Sequence, residues 1–145
     1  MSRATVREVR DEAGIRACHG VMRQLRPQYE EDEFVARVLR QMNEGYNVAC
    51  VEAGEGVAAV AGYRFGENLA WGRYLYVDDL VTDGSRRCTG LGTVLLEWLA
   101  NLARQRRCAE LHLDSGVQRF AAHRFYLRHR LEITSHHFRL VLRGD

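Results

Sequence analysis

The sequence predicts a mixed α/β fold in a single domain spanning residues 1–145. Three observations carry that reading. The hydrophobic period is helical over residues 11–42 and gives way to strand-like alternation beyond Gly45. A glycine turn, "RRCTGLG", stands between a long strand and an apolar helix. Strand and helix patterns then continue to the end with no repeat, low-complexity run or linker between them.

In chain order, Ala4 to Val9 alternates weakly and reads as a first strand. From Asp11, residues Ile15, Val21, Met22 and Leu25 fall near a period of 3.6, and Pro27 closes that helix. A second helix runs from Glu30 to Met42 with Phe34, Val35, Val38, Leu39 and Met42 on one stripe. Its opening, "QYEEDEF", gathers four carboxylates, as a helix N-terminus favours. "YNVACVEA" and "GVAAVAGYRFG" read as a hairpin turned by "GEG", and "LAWGRYLYVDDLVT" as a longer strand. A helix from about Gly90 to Arg106 buries Val94, Leu95, Trp98, Leu99 and Leu102. "AELHLDS" reads as a strand, "VQRFAAHRFYLRH" as a helix, and "LEITSHHFRLVL" as one strand or two closing the chain.

Composition excludes several classes. Hydrophobic residues at 46% and charged residues at 28% are ordinary for a folded soluble chain. A net charge of +2 with dispersed arginines argues against a nucleic-acid binder. No apolar run approaches the roughly 18 residues of a membrane span. The charged N-terminus lacks the apolar segment of a signal peptide, so a cytoplasmic location is expected. Cys18, Cys50, Cys88 and Cys108 form no C-x-x-C pair, and the histidines lack ligand spacing, so no metal is expected.

A strand, a glycine turn and a helix N-terminus together make an anion site, because the first-turn N–H groups have no partner within the helix. A dinucleotide fingerprint fails because the third glycine position is Leu95. A P-loop fails because Thr93 follows Gly92 with no lysine. What remains is Arg87-Cys88-Thr89-Gly90-Leu91-Gly92, an R-x-x-G-x-G hexapeptide.

That hexapeptide resembles the acetyl-CoA signature of the GNAT superfamily of N-acetyltransferases, usually Q/R-x-x-G-x-G/A. The strand "DDLVTDGSRR" before it and Phe125-Tyr126 about thirty residues after it stand where the family has its counterparts. The order of elements also matches the family plan over nearly the whole chain. The resemblance implies a central mixed, mostly antiparallel sheet with helices on both faces, and acetyl-CoA as cosubstrate. It places the CoA pyrophosphate on the N–H groups of residues 87–93 (Arg87, Cys88, Thr89, Gly90, Leu91, Gly92 and Thr93), with Arg87 adding charge and the threonines hydroxyl donors. Leu80, Val81 and Thr82 would pair through their backbone with the pantetheine arm.

The same resemblance makes Tyr126 the acid that protonates the departing thiolate, against the reading of a partly buried aromatic on an amphipathic helix. It points to Asp78 or Asp79 as the base and favours Asp78. On a regular strand only one of the two faces the substrate, and a bulge could reverse the choice. An aspartate near its ordinary pKa of about 3.9 needs a water relay or burial to serve an ammonium; otherwise it only anchors a cationic substrate. Arg119 replaces the family's frequent asparagine and is a further candidate for CoA phosphates. Arg130-Leu131 replaces the common Gly-Phe. The acceptor expected is a small cationic amine, from the carboxylates of "QYEEDEF" and of Asp78-Asp79. A protein lysine or N-terminal amine, and a non-catalytic CoA-binding module, are the alternatives. Homodimerisation is common in the family, and the final strand could supply an interface.

Overall fold

The computed structural model describes residues 4–86 and 89–143. They divide into two compact units, residues 1–113 and 114–145. Arg87 and Cys88 of the hexapeptide lie outside the described residues.

The first unit is a five-stranded sheet in the order β1-β2-β3-β4-β5. The strands are β1 (Thr5–Val9), β2 (Asn47–Glu52), β3 (Val57–Asn68), β4 (Gly72–Thr82) and β5 (Glu110–Leu113). The first three pairings are antiparallel and β4–β5 is parallel. Helices α1 (Glu12–Met22) and α2 (Glu31–Met42) join β1 to β2, and α3 (Leu91–Gln105) joins β4 to β5. The sheet is therefore mixed and mostly antiparallel, as expected.

Strand alternation sends side chains to two cores. Val48, Cys50, Val60 and Val81 pack with Ile15, Cys18, Val21, Phe34 and Val38 of α1 and α2. Ala49, Val51, Ala59, Ala61, Leu75 and Val77 pack with Leu91, Leu95 and Leu99 of α3 on the other face. Helix α1 starts where Asp11 accepts a 2.8 Å bond from the Gly14 N–H. It ends at Met22, short of Pro27, and the chain continues in turns through Arg26, whose N–H reaches the Met22 carbonyl.

The second unit contains α4 (Phe120–Arg128), with Arg119 at its N-cap. One expectation fails here. Residues 131–142, expected to close the chain as one strand or two, form no strand. Alternating apolar residues favour a strand only when a neighbouring strand takes their backbone bonds and a core takes their side chains. This segment has neither: Ile133, Phe138, Leu140 and Leu142 are all exposed.

Candidate functional site

The site begins with a register irregularity. Gly62 pairs with Asp79, but the next residue of β3, Tyr63, pairs with Val77, leaving Asp78 as the extra residue of β4. Such a bulge resets the alternation of one strand. Val81 lies in the α1–α2 core and Leu80 packs against the α3 core, as a regular strand requires. After the bulge Val77 returns to the α3 core. Asp78 and Asp79 consequently face the same side, and both line one cavity of about 310 Å³ with Met22, Arg26, Tyr29, Phe34, Arg37, Gln41 and Tyr46. The rule that only one of two successive strand residues faces the substrate does not apply here, and the bulge is the reason.

Each carboxylate has a guanidinium. Arg26 Nε donates to Asp79 Oδ1 over 2.7 Å, and its Nη2 reaches the Asp78 carbonyl at 3.2 Å. Arg64 Nε donates to Asp78 Oδ2 over 2.8 Å while its Nη2 holds Gln41 Oε1 at 2.7 Å. Tyr46, buried just before β2, donates its hydroxyl to Asp79 Oδ2 over 2.6 Å. Burial raises the Asp78 carboxyl above its ordinary pKa, and the Arg64 hydrogen bond and charge offset part of the rise. Burial, with the Asp79 charge and hydrogen bond, pushes the Tyr46 phenol well up, so it stays a donor.

Sequence reading missed Tyr46 and Arg64. Tyr46 is separated from Asp79 by 33 residues, and only the pairing register brings the two together. Gly62 was the one available trace: a glycine inside a strand marks a bulge or a close approach. Here a side chain on it would collide with the Tyr46 ring.

Beyond the bulge, β4 has β5 beside it only from Tyr74 to Val77. Leu80, Val81 and Thr82 pair with β3 on one side, and no described strand pairs with them on the other. A 3-10 turn, Gly84–Arg86, follows. Arg86 is committed to the β2–β3 turn, donating to the carbonyls of Ala53 and Glu55. Thr89 donates its hydroxyl to the Arg86 carbonyl at 2.5 Å. Gly90 caps α3 in the left-handed region, φ +84°, and no side chain caps the helix. The first-turn N–H groups of Leu91 and Gly92 thus lack both an intrahelical acceptor and a side-chain cap, which suits an anion.

In the second unit, the structure places the two singled-out residues Arg119 and Tyr126 together. Burial raises the Tyr126 phenol, and the Arg119 guanidinium beside it pulls the value part of the way back. Among the described residues no group of three His, Cys, Asp or Glu side chains could hold a metal. No described helix is long and apolar enough to cross a membrane.

Comparison with known proteins bears on the fold and the family. The chain is 29% identical to the uncharacterized N-acetyltransferase YhdJ of Bacillus subtilis (strain 168) over 107 residues, 73% of this chain and 75% of that one. Its fold matches an aminoglycoside N-acetyltransferase solved with CoA at a TM-score of 0.85, with 14% identity, covering 99% of this chain and 97% of that one. It matches glucosamine-6-phosphate N-acetyltransferase from Arabidopsis thaliana at 0.75, with 18% identity, covering 97% and 99%. Residues 15–130 match the Acetyltransferase (GNAT) family, so the chain belongs to that family and is an acetyl-CoA-dependent acyltransferase.

Proposed function

We propose that the protein moves an acetyl group from acetyl-CoA to the primary amine of a small molecule by direct attack in a ternary complex. The observation that carries this reading is the bulge, which turns two carboxylates of β4 into one cavity. That cavity lies just before the stretch of β4 whose far edge has no described strand beside it. Leu80, Val81 and Thr82 offer that edge to the pantetheine arm. The turn from Thr89 to Thr93, with Gly90 and Gly92 keeping the backbone bare, takes the pyrophosphate; Arg87, Cys88 and Arg119 belong to the same proposal.

Asp78 is the better base of the pair. Its raised pKa brings it closer to an ammonium than an ordinary aspartate, and a water between amine and carboxylate completes the transfer. Asp79, held by Arg26 and Tyr46, orients the amine. Deprotonation frees the nitrogen lone pair to attack the thioester carbonyl, and the C–S bond breaks as the carbonyl re-forms. Tyr126, kept protonated by burial, is the proposed donor to the departing thiolate.

Thermal unfolding of the purified chain against acetyl-CoA, CoA, ATP and NAD tests the binding claim, followed by thiol release with a panel of amines. Stabilisation by the two CoA species alone supports the reading. No shift up to millimolar acetyl-CoA sinks it, because binding to the folded state must stabilise it. A homodimer remains part of the proposal on the strength of the exposed apolar residues of 131–143; light scattering that finds a monomer at every concentration removes it.

A further inference from the structure

We infer that the acceptor is a zwitterion-like small molecule: an amine that carries an anionic group within a few bonds of its hydrocarbon frame, the anion held by Arg26 and Arg37. The inference rests on the acetyltransferase reading and specifies the substrate class of the same cavity.

The sequence suggests a cationic acceptor because two sets of carboxylates are present, in the α2 opening and on β4. The structure accounts for both sets. Glu31 and Asp32 are bound by Arg16, at 2.8 and 2.7 Å, and Glu33 by Arg37 at 3.1 Å; neither these three nor Glu30 lines the cavity. On β4, Asp78 is paired with Arg64 and Asp79 with Arg26. A polycation entering this cavity would therefore meet no carboxylate without a guanidinium already on it. The charged residues that line the cavity are Arg26, Arg37, Asp78 and Asp79, two of each sign. A second ammonium on the acceptor would find no unpaired carboxylate in the cavity lining.

A molecule carrying both signs suits the arrangement. Its ammonium approaches Asp78 and Asp79, whose side chains are only 25% and 12% exposed. Its anion meets Arg26, whose side chain stays 44% exposed while it holds Asp79. Arg37 lies over the Tyr29 ring, 4.9 Å from its centroid, and is 40% exposed. Planar guanidiniums favour two-point contact with carboxylate or phosphate, and they lose less hydration on binding than ammonium groups do. Tyr29, Phe34 and Tyr46 supply apolar wall between the two charged ends. A volume of about 310 Å³ suits a small molecule.

The test is thiol release from acetyl-CoA by the intact chain with matched amines. Free lysine is compared with lysinamide and cadaverine, and 2-aminoethyl phosphate with ethanolamine; the second pair separates phosphate from carboxylate as the anion. The chain contains no lysine, so acetylation of its own side-chain amines does not confound the readout. The expected result is at least a tenfold higher kcat/KM for an anion-bearing amine than for its neutral or cationic match, expressed mainly in KM. Arg26→Gln and Arg37→Gln should each lower that ratio severalfold, while Arg26→Lys keeps part of it. Thermal unfolding of each variant checks that it is folded. If cadaverine or ethanolamine equals or exceeds its anionic match while acetyl-CoA still raises the unfolding midpoint, the zwitterion inference falls and the acetyltransferase reading stands. If acetyl-CoA itself leaves the midpoint unchanged, the underlying reading falls as well.

Discussion

The hydroxyl of Tyr46 occupies space that a side chain on Gly62 would claim: a Cβ there would stand 1.8 Å from the Tyr46 oxygen and 2.4 Å from its Cζ. Through that space Tyr46 reaches Asp79, which faces Gly62 across the β3–β4 pair. The glycine, the bulge and the tyrosine are thus one device, and each depends on the other two.

Gly62→Ala should therefore displace a buried ring. Overpacking of this kind costs about 1–3 kcal/mol, and the displaced hydroxyl can no longer hold Asp79. A drop in the unfolding midpoint together with a fall in kcat/KM is expected. An unchanged midpoint and full activity would show that Tyr46 has another resting place.

Tyr46→Phe isolates the hydrogen bond from the packing, since the ring remains. Bonds to a charged acceptor contribute about 1.5–3 kcal/mol, and Asp79 keeps Arg26 as a partner. Stability should fall toward the lower end of that range, with activity reduced because Asp79 loses one of its two anchors. Urea unfolding and steady-state kinetics separate the two effects.

Asp78→Asn removes the proposed base and should lower kcat by roughly 10²–10⁴ with binding of acetyl-CoA retained. The pH profile gives an independent reading. Only the ionised carboxylate accepts the proton, so activity falls as pH drops through the Asp78 pKa. Because burial raises that pKa, the acid limb lies above the value of an ordinary aspartate. Arg64 works against the rise, so Arg64→Gln should move the limb to still higher pH. The stability sign is opposite to that of an acid whose pKa is lowered on folding. The raised pKa means the folded chain prefers the protonated form, so this group's contribution favours folding at low pH and is lost as pH rises through the folded pKa. A limb that stays put in Arg64→Gln would remove Asp78 from the base role.

The fold was legible in the sequence where a segment repeats a strong period over a whole element. Helix α2, strand β3 and helix α3 lie within a few residues of their expected bounds, because each buries a continuous stripe. The glycine turn was legible for another reason: Gly90 sits where the backbone turns left-handed, and glycine is the residue that tolerates it. Two features were not legible. Residues 131–142 alternate like a strand, but pairing depends on a neighbour that the segment's own residues do not specify. The shared face of Asp78 and Asp79 depends on one skipped residue in the β3–β4 register, and the sequence of β4 alone reads as regular alternation. Nor were the partners of those two carboxylates legible: Arg26 and Arg64 pair with them across 53 and 14 residues.

Gly90→Ala separates backbone conformation from steric room at the phosphate turn. A Cβ on Gly90 would meet none of the described residues within 4 Å. Its φ of +84° is the obstacle: an L-residue there costs on the order of 1–2 kcal/mol. If the chain keeps the turn, stability falls by about that amount. If it relaxes φ instead, the direction of the first α3 N–H groups changes and anion binding weakens. The proposed pyrophosphate contact adds a second penalty, because the new methyl group would stand on the bare backbone that the ligand approaches. Titration of acetyl-CoA by calorimetry should show a Kd raised at least tenfold, beyond what the stability loss explains. Equal affinity in Gly90→Ala and the parent chain would mean that the CoA phosphates bind elsewhere, and the glycine would then serve only the turn from β4 into α3.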